Sequence, residues 1–342
     1  MTMKFNRLFS LAAAVAASLL AQATTALAAS EPFYKGKTIT FVIGSDVGGG
    51  YDAYSRLIAS HIGRHLEGHP SIVPQNMPGA GAIRATNHLY NVARKDGTAI
   101  GMIDQAVYLS QILGTPELMA DATKFNWIGR ILSNSAVLFA WHTAPVQKAE
   151  DLFSKELIVA ATGTASRLNW QVLNAVVDTK FKIISGYKGT ADSRLAMQRG
   201  EVHGLSMPWS ALKNEAGDFL TDKSITLILQ TGADEHRELQ NLPRMIDLAR
   251  NDDERQLLAL FSSPSTVGRS VVAPPGLPAE RVAELRKAFM AAIADPALIA
   301  DVERMKLELD PLSGEELQAS ISGSTISPAL IERARQVAGA KN

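Results

Sequence analysis

Residues 38–66 read TITFVIGSDVGGGYDAYSRLIASHIGRHL, and their pattern indicates the fold class. The β-branched and aromatic run Thr38–Ile43 predicts a buried strand. Three glycines at 48–50 then predict a turn, and Asp52 is a candidate cap for a helix because apolar residues recur at helical spacing over 54–66. A strand, a glycine turn and a helix in this order form the opening unit of an α/β fold.

The same alternation continues along the chain. Strands at 71–75 and 98–103 and helices at 82–92 and 105–113 predict a parallel sheet covered by helices on both faces. The pattern restarts near residue 136 and ends in helices, which predicts two α/β lobes of about 100 residues each joined by short crossings. The predicted divisions are a signal peptide at 1–28, the first part of lobe I at 29–133, lobe II at 134–231, and the completion of lobe I with C-terminal helices at 232–342.

The composition excludes several classes of function. Lys and Arg total 34 and so do Asp and Glu, so there is no basic field to hold nucleic acid or an anionic membrane. The chain has no cysteine, which excludes a disulfide scaffold, a thiolate metal site and a cysteine nucleophile. The expected partner is a small molecule, and a monomer is expected.

The N-terminus has the three-part layout of a secretory signal peptide. Lys4 and Arg7 precede an apolar run at 8–20, and Ala26 and Ala28 are small residues at the positions that signal peptidase reads. The apolar run is shorter than the roughly 20 residues of a membrane span. We therefore expect cleavage near Ala28, and a periplasmic mature chain with no segment inserted in the membrane.

Four glycine loops lie where predicted strands end. Besides residues 48–52, they are Pro78 to Gly81, Thr162 to Ser166 and Gly186 to Thr190. Such turns expose backbone N–H groups and direct helix N-termini at the space beyond a sheet's carboxyl edge, where α/β proteins bind ligands. Two loops in each lobe, facing across a cleft, predict a site for an organic anion held by its carboxylates.

Motifs for catalysis and cofactors are incomplete. Lys37 and Thr38 end like a phosphate-binding loop, but Glu31 stands where its first glycine belongs, and no Gly-x-Ser-x-Gly motif occurs. His61 and His65 are four residues apart without the glutamate of a zinc protease, which favours a solvated helix face. We therefore predict no enzyme, no metal site and no cofactor.

Five segments carry a family resemblance: GGGYD at 48–52, QNMPGAG at 75–81, ATGTAS at 161–166, APPGLPAE at 273–280 and DPLSGEE at 310–316. Together they resemble the Bug family, the periplasmic solute receptors of tripartite tricarboxylate transporters. The resemblance implies a two-lobed periplasmic-binding-protein fold of the type II-like, Venus flytrap kind, with a ligand cleft between the lobes. It also implies a carboxylated metabolite held largely by backbone N–H groups and waters, and delivery of that ligand to membrane permease subunits.

The glycine loops and the family resemblance predict the same ligand-binding site. Amides of the first two loops would hold one end of the ligand; Thr164, Ser166 and Arg167 would hold the other, and residues 188–192 would close the cleft. Arg167, Lys188 and Arg194 adjoin these loops and are candidate partners for a carboxylate. The predicted ligand-binding residues are Val47, Gly48, Gly49, Gly50, Tyr51, Asp52, Pro78, Gly79, Ala80, Gly81, Thr162, Gly163, Thr164, Ala165, Ser166, Arg167, Lys188, Gly189 and Asp192.

This chain departs from the family pattern at several positions. Asp46 would repel a neighbouring carboxylate, Tyr51 would reshape the pocket, and Ala82 stands where a glycine is common. Two alternatives to a transport receptor stay open. One is an exported sensory receptor that signals to a membrane kinase, and the other is an exported hydrolase that uses Ser166 or Asp52 with a histidine.

Overall fold

The computed structural model describes residues 31–161, 164–187, 190–232, 235–323 and 326–339, and the predicted signal peptide lies outside them. Strands and helices alternate as the sequence indicates. The strands are β1 (Thr38–Ile43), β2 (Ser71–Asn76), β3 (Ala99–Met102), β4 (Asn126–Leu132), β5 (Ala136–Trp141), β6 (Leu157–Ala161), β7 (Phe181–Ser185), β8 (Gly204–Pro208), β9 (Ile225–Gln230), β10 (Arg269–Ala273) and β11 (Leu312–Ser313). The helices are α1 (Gly50–Ile62), α2 (Ile83–Asn91), α3 (Val107–Leu113), α4 (Thr164–Val177), α5 (Thr190–Gln198), α6 (Trp209–Thr221), α7 (Asp252–Val267), α8 (Ala279–Ile293), α9 (Pro296–Arg304), α10 (Gly314–Ser322) and α11 (Pro328–Ala338).

The first sheet has the strand order β11-β4-β10-β3-β1-β2. Strand β1 is parallel to β2 and β3, whereas β10 is antiparallel to β3 and β4. The prediction of a purely parallel sheet is therefore wrong, because β10 enters from the opposite direction after the chain has built the second sheet. Strand β4, which the sequence patterns did not indicate, is buried along almost its whole length.

The second sheet has the order β7-β6-β8-β5-β9. Strand β6 is parallel to β7 and β8, and β5 is antiparallel to β8 and β9. This sheet also is mixed. Every strand predicted for this part of the chain is present, with ends that differ by a residue or two.

The chain passes from the first sheet to the second at residues 133–135. Strand β4 ends at Leu132, opposite Arg269, and β5 begins at Ala136, opposite Pro208. Since β10 is antiparallel to β3, and β5 to β8, this crossing joins the edge where β1 and β3 end to the edge where β6 and β8 end. The carboxyl edges of the two sheets therefore face each other. The residue boundaries of the lobes stay a prediction.

One hydrophobic cluster extends from the first sheet to the second. It includes Val42 and Trp127 from the first sheet and Leu138 from the second, together with apolar residues of α7 and α11. Both of these helices pack against α3 and α4, so they bridge the two halves. A second cluster packs α1 and α8 against the other face of the first sheet. None of the helices in the described ranges is long and apolar enough to span a bilayer.

Candidate functional site

The first glycine loop is held by the carboxylate of Asp52. One oxygen accepts a hydrogen bond from the backbone N–H of Gly48 at 2.9 Å. The other accepts hydrogen bonds from Arg56 Nε and Asn76 Nδ2, each at 2.9 Å. The hydrogen bond from Arg56 is the main reason that the pKa of Asp52 falls to about 2. The Asp52 side chain is 5% exposed. It fixes the loop from inside, and it is the third residue of α1 and not the predicted helix cap.

Helix α1 begins at Gly50, and its N-cap, Gly49, has no side chain to cap the first turn. The first N–H groups of a helix have no partner within the helix, and the helix dipole adds positive potential there. Residues 46–50 are exposed, and Val47 reaches 73% exposure. The start of α1 is therefore open to an anion, at the carboxyl edge of the sheet.

The second glycine loop lies beside the first. Gly79, Ala80, Gly81 and Ala82 have φ of 131°, 47°, 60° and 69°, a run of positive values that favours glycine. Ala82 therefore adopts a conformation that suits the glycine common in the resembling family. A Cβ added at Gly44 would lie 2.8 Å from the Ala82 Cβ, so the second loop packs against the residue that follows β1. Gly79 to Gly81 are exposed and Pro78 is half-buried.

A third loop, after β3, joins the site and was not among the predicted residues. The Tyr51 hydroxyl accepts a hydrogen bond from the Gln105 backbone N–H at 3.1 Å and lies beside the Asp104 carboxylate. Burial raises the pKa of Tyr51 and that of Asp104. Gln105 Oε1 also accepts a hydrogen bond from Asn134 Nδ2 at 2.9 Å, which connects this loop to the crossing between the sheets. Asp104 follows the end of a predicted strand, and that position was the available signal.

Arg269 is a second site residue that the sequence patterns missed. It is the first residue of β10, opposite Leu132 at the same edge of the sheet. Its guanidinium carbon lies 5.4 Å from the ring centroid of Tyr51 and 5.1 Å from that of Tyr54. A Cβ added at Gly50 would lie 2.6 Å from Arg269 Nη2. Gly50 therefore leaves room for the guanidinium in this position, and a larger side chain would displace it.

The predicted residues of the second sheet lie at helix starts. Ser166 and Arg167 belong to the first turn of α4, which Thr164 and Ala165 open, and Asp192 belongs to the first turn of α5. These helices follow β6 and β7, which are parallel neighbours, so both helices start at the same edge. Arg167 and Asp192 are exposed. The predicted residues Thr162, Gly163, Lys188 and Gly189 lie outside the described residues.

Arg194 differs from its predicted role. Its guanidinium donates a hydrogen bond to the backbone oxygen of Glu215 and lies 3.9 Å from the carboxylate of the same residue. These contacts hold α5 against α6. Arg194 is therefore already engaged within the second sheet's layer of helices, and Arg167 is the exposed cation at the start of α4.

The two histidines, His61 in α1 and His65 in the short turn after it, do not form a solvated face, so that prediction is wrong. His61 is 3% exposed, and its Nε2 lies 2.9 Å from Asp301 Oδ2. His65 Nε2 lies 3.0 Å from Asp295 Oδ2. Asp295 is the N-cap of α9 and Asp301 lies within that helix, which packs against α1. Across the described ranges, no group of three or more His, Asp or Glu side chains is arranged to hold a metal ion.

A cavity of about 440 Å³ lies elsewhere, between the first sheet and α2. Thr38, Thr40, His88 and Thr98 are among the residues that line it, and none of the predicted site residues does. The candidate site is therefore an open cleft edge, separate from this cavity.

No protein-family model matches the sequence, and no curated protein matches it. Solved structures match over most of the chain. A TctC solute-binding protein from Polaromonas is 16% identical, with a TM-score of 0.68, over 90% of this chain and 99% of its own. The periplasmic binding protein BugD is 20% identical, with a TM-score of 0.55, over 89% and 98%. Rpa4515 from R. palustris, solved with adipate, is 21% identical, with a TM-score of 0.56, over 89% and 97%.

These similarities confirm the predicted fold. The chain has the two-lobed α/β fold of periplasmic binding proteins, and its structural neighbours include proteins of the TctC and Bug type. The resemblance stated from the loop sequences is thus confirmed at the level of the fold. The first of these neighbours is a solute-binding protein and the second a periplasmic binding protein, and the third was solved with adipate, a dicarboxylate.

Proposed function

We propose that this chain is a Bug-type periplasmic receptor that captures a small organic carboxylate and delivers it to the permease subunits of a tripartite tricarboxylate-type transporter. The observation that carries the proposal is the uncapped start of α1 at Gly49, on a sheet edge that faces the starts of α4 and α5. Helix N-termini and exposed loop amides bind anions. The solved relative with adipate supports a carboxylate as that anion.

Binding would follow from the arrangement of the edges. The first two loops would take one end of the ligand through backbone amides, and the start of α4, with Ser166 and Arg167, would take the other. A ligand that contacts both edges stabilises the closed arrangement by its difference in affinity for the two states. The receptor would act as a monomer in the periplasm, and its closed form would be the one that the permease recognises.

The geometry argues against Asp52 as the nucleophile of the hydrolase alternative. Asp52 is buried and hydrogen-bonded to Gly48, Arg56 and Asn76, so its carboxylate has no access to a substrate. A nucleophile with a base and a residue to orient that base is the minimum set for such chemistry. Neither Asp52 nor its partners supply one.

A thermal-shift screen tests the proposal. The protein spanning residues 29–342 would be refolded to remove carried ligand and then screened against dicarboxylates, tricarboxylates, amino acids and aromatic acids. A ligand at a thousand times its Kd stabilises the folded state by about 4.1 kcal/mol, which gives a clear rise in Tm. We expect hits among the carboxylates and not among neutral compounds. A folded protein that none of the carboxylates stabilises would contradict the proposal.

The transport role needs a second experiment. Copurification from membranes with a tagged receptor, in the presence of the carboxylate found by the screen, should recover integral permease subunits. Recovery of a membrane kinase instead would favour the sensory alternative, since one binding fold serves either role.

A further inference from the structure

Arg269 is a cation without a counter-ion at the candidate site. Among the described residues its side chain has no ion pair and no hydrogen bond, and its Nε is buried without a hydrogen-bond partner. Buried polar groups in proteins nearly always have partners, so an exception needs an explanation. The residue as a whole is not fully buried, and part of its surface remains exposed at the sheet edge.

The surroundings of Arg269 hold the guanidinium in one place. The ring centroids of Tyr51 and Tyr54 lie 5.4 Å and 5.1 Å from its guanidinium carbon. Tyr51 is itself fixed through its hydroxyl by Gln105, and the Tyr54 hydroxyl is fixed by the backbone of Glu308. Nη2 lies against Gly50, the first residue of α1. A guanidinium so confined loses little conformational entropy when it binds a ligand.

We propose that Arg269 binds a carboxylate of the ligand directly, beside the N–H groups that open α1. This assignment rests on the proposed function and adds to it the residue that selects the ligand's charge. A guanidinium presents parallel N–H groups that match the two oxygens of a carboxylate, and such charge-assisted pairs are stronger than hydrogen bonds between neutral groups. The resemblance to the Bug family implies recognition mainly through backbone amides, and Arg269 would add a direct charge to that recognition.

The consequence is a requirement for an ionised carboxylate at this end of the ligand. An amide of the same shape can donate and accept hydrogen bonds at the amides of α1, but it cannot neutralise Arg269. It would leave a partly buried charge unpaired, which costs affinity. The receptor should therefore reject amides and esters of the acids that it binds.

The test compares affinities by titration calorimetry for the carboxylate that gives the largest thermal shift, beginning with adipate, and for its neutral diamide, adipamide. In Arg269→Met the Kd for adipate should rise about 30-fold or more, while the Kd for adipamide should stay unchanged. Arg269→Lys keeps the charge and should stay within about tenfold of the wild type. Arg199→Met, which removes an arginine side chain that is 68% exposed, is the matched control and should leave both values unchanged.

The outcomes separate the two proposals. Circular dichroism and Tm establish that each variant is folded. A wild type that binds adipate with an Arg269→Met variant that binds it within threefold overturns the assignment and leaves the proposed function standing. Equal weakening of adipate and adipamide also overturns it, since a purely structural role weakens both. Where adipamide binds too weakly to measure, the lysine variant decides: an affinity no better than that of the methionine variant overturns the assignment. A wild type that binds no carboxylate of the panel removes the proposed function and this assignment together.

Discussion

The Lys213 Nζ lies 2.9 Å from Glu308 Oε1, and this ion pair joins the two halves of the molecule. Lys213 belongs to α6, beside the second sheet, whereas Glu308 precedes β11 of the first sheet. The backbone of Glu308 is held by the Tyr54 hydroxyl, which both donates and accepts at 3.0 Å. Lys213 also pairs with Glu238 at 2.7 Å. The contact therefore links α6 to the tyrosine that packs on Arg269.

We predict that Lys213→Met shifts the molecule toward a more open arrangement. The side chains of the pair are partly exposed, so its loss should change the free energy by no more than about 1 kcal/mol, or about fivefold in the ratio of open to closed forms. The chain has no cysteine, so spin labels can be attached uniquely at Val92→Cys and Leu195→Cys, both exposed. Pulsed electron–electron double resonance should then show a larger population of molecules with a long distance between the two labels.

Lys155→Met is the matched control for that variant. It removes the same charge, and its ion pair with Asp151 lies within one half of the molecule. Its distance distribution should equal that of the wild type. If the two variants give the same distribution, the Lys213 ion pair does not hold the halves together.

Two neighbouring glycines should respond differently to the same substitution. Gly50→Ala places a methyl group 2.6 Å from Arg269 Nη2, whereas Gly49→Ala meets no atom within 4 Å. The end of an arginine side chain can move, so we expect a small loss of stability in Gly50→Ala, with about a tenfold weaker binding of the carboxylate. Gly49→Ala should keep the wild-type Tm, and calorimetric titration measures the difference in Kd. Wild-type affinity in Gly50→Ala would contradict the position given to Arg269.

Asp52 should make the folded state sensitive to acid. Its pKa in the folded state is about 2, below its ordinary value of 3.8. The stability that it contributes is therefore present above about pH 4 and is lost as the pH falls through about 2, because the unfolded chain takes up the proton first. Denaturant titrations from pH 5 to pH 2 should show a smaller dependence on pH in Asp52→Asn than in the wild type. An identical dependence would mean that the carboxylate is not held as described.

Asp104 should weaken the binding of anions. Its carboxylate lies beside Tyr51 in the loop after β3, and burial raises its pKa. A negative charge at this edge repels a ligand carboxylate, and a desolvated setting strengthens the repulsion. Asp104→Asn should therefore bind the carboxylate several-fold more tightly at pH 7.5. Unchanged affinity would place Asp104 outside the range of the ligand's charge.

The features that could be predicted from the sequence are those that depend on residues close together in the chain. The strands, the helices and the glycine loops follow from local periodicity and turn chemistry, and the prediction of two loops at the sheet edge of each lobe follows from their positions after strands. Arg269 could not be found in this way, because it reaches Tyr51 only through the pairing of β10 with β3 and β4. The burial of His61 likewise depends on Asp301, which lies far along the chain. Such contacts arise from tertiary packing, which single-sequence patterns do not record.

The place of β10 in the first sheet affects the order in which the chain can fold. This strand separates β3 from β4, although the whole second sheet precedes it in the chain. Until residues 269–273 have been synthesised, β3 and β4 have no shared neighbour, and the first sheet exists only as fragments. Pairings between distant segments form slowly. A late strand at the centre of the sheet should therefore delay completion of the first sheet, which would favour the export that residues 1–28 predict.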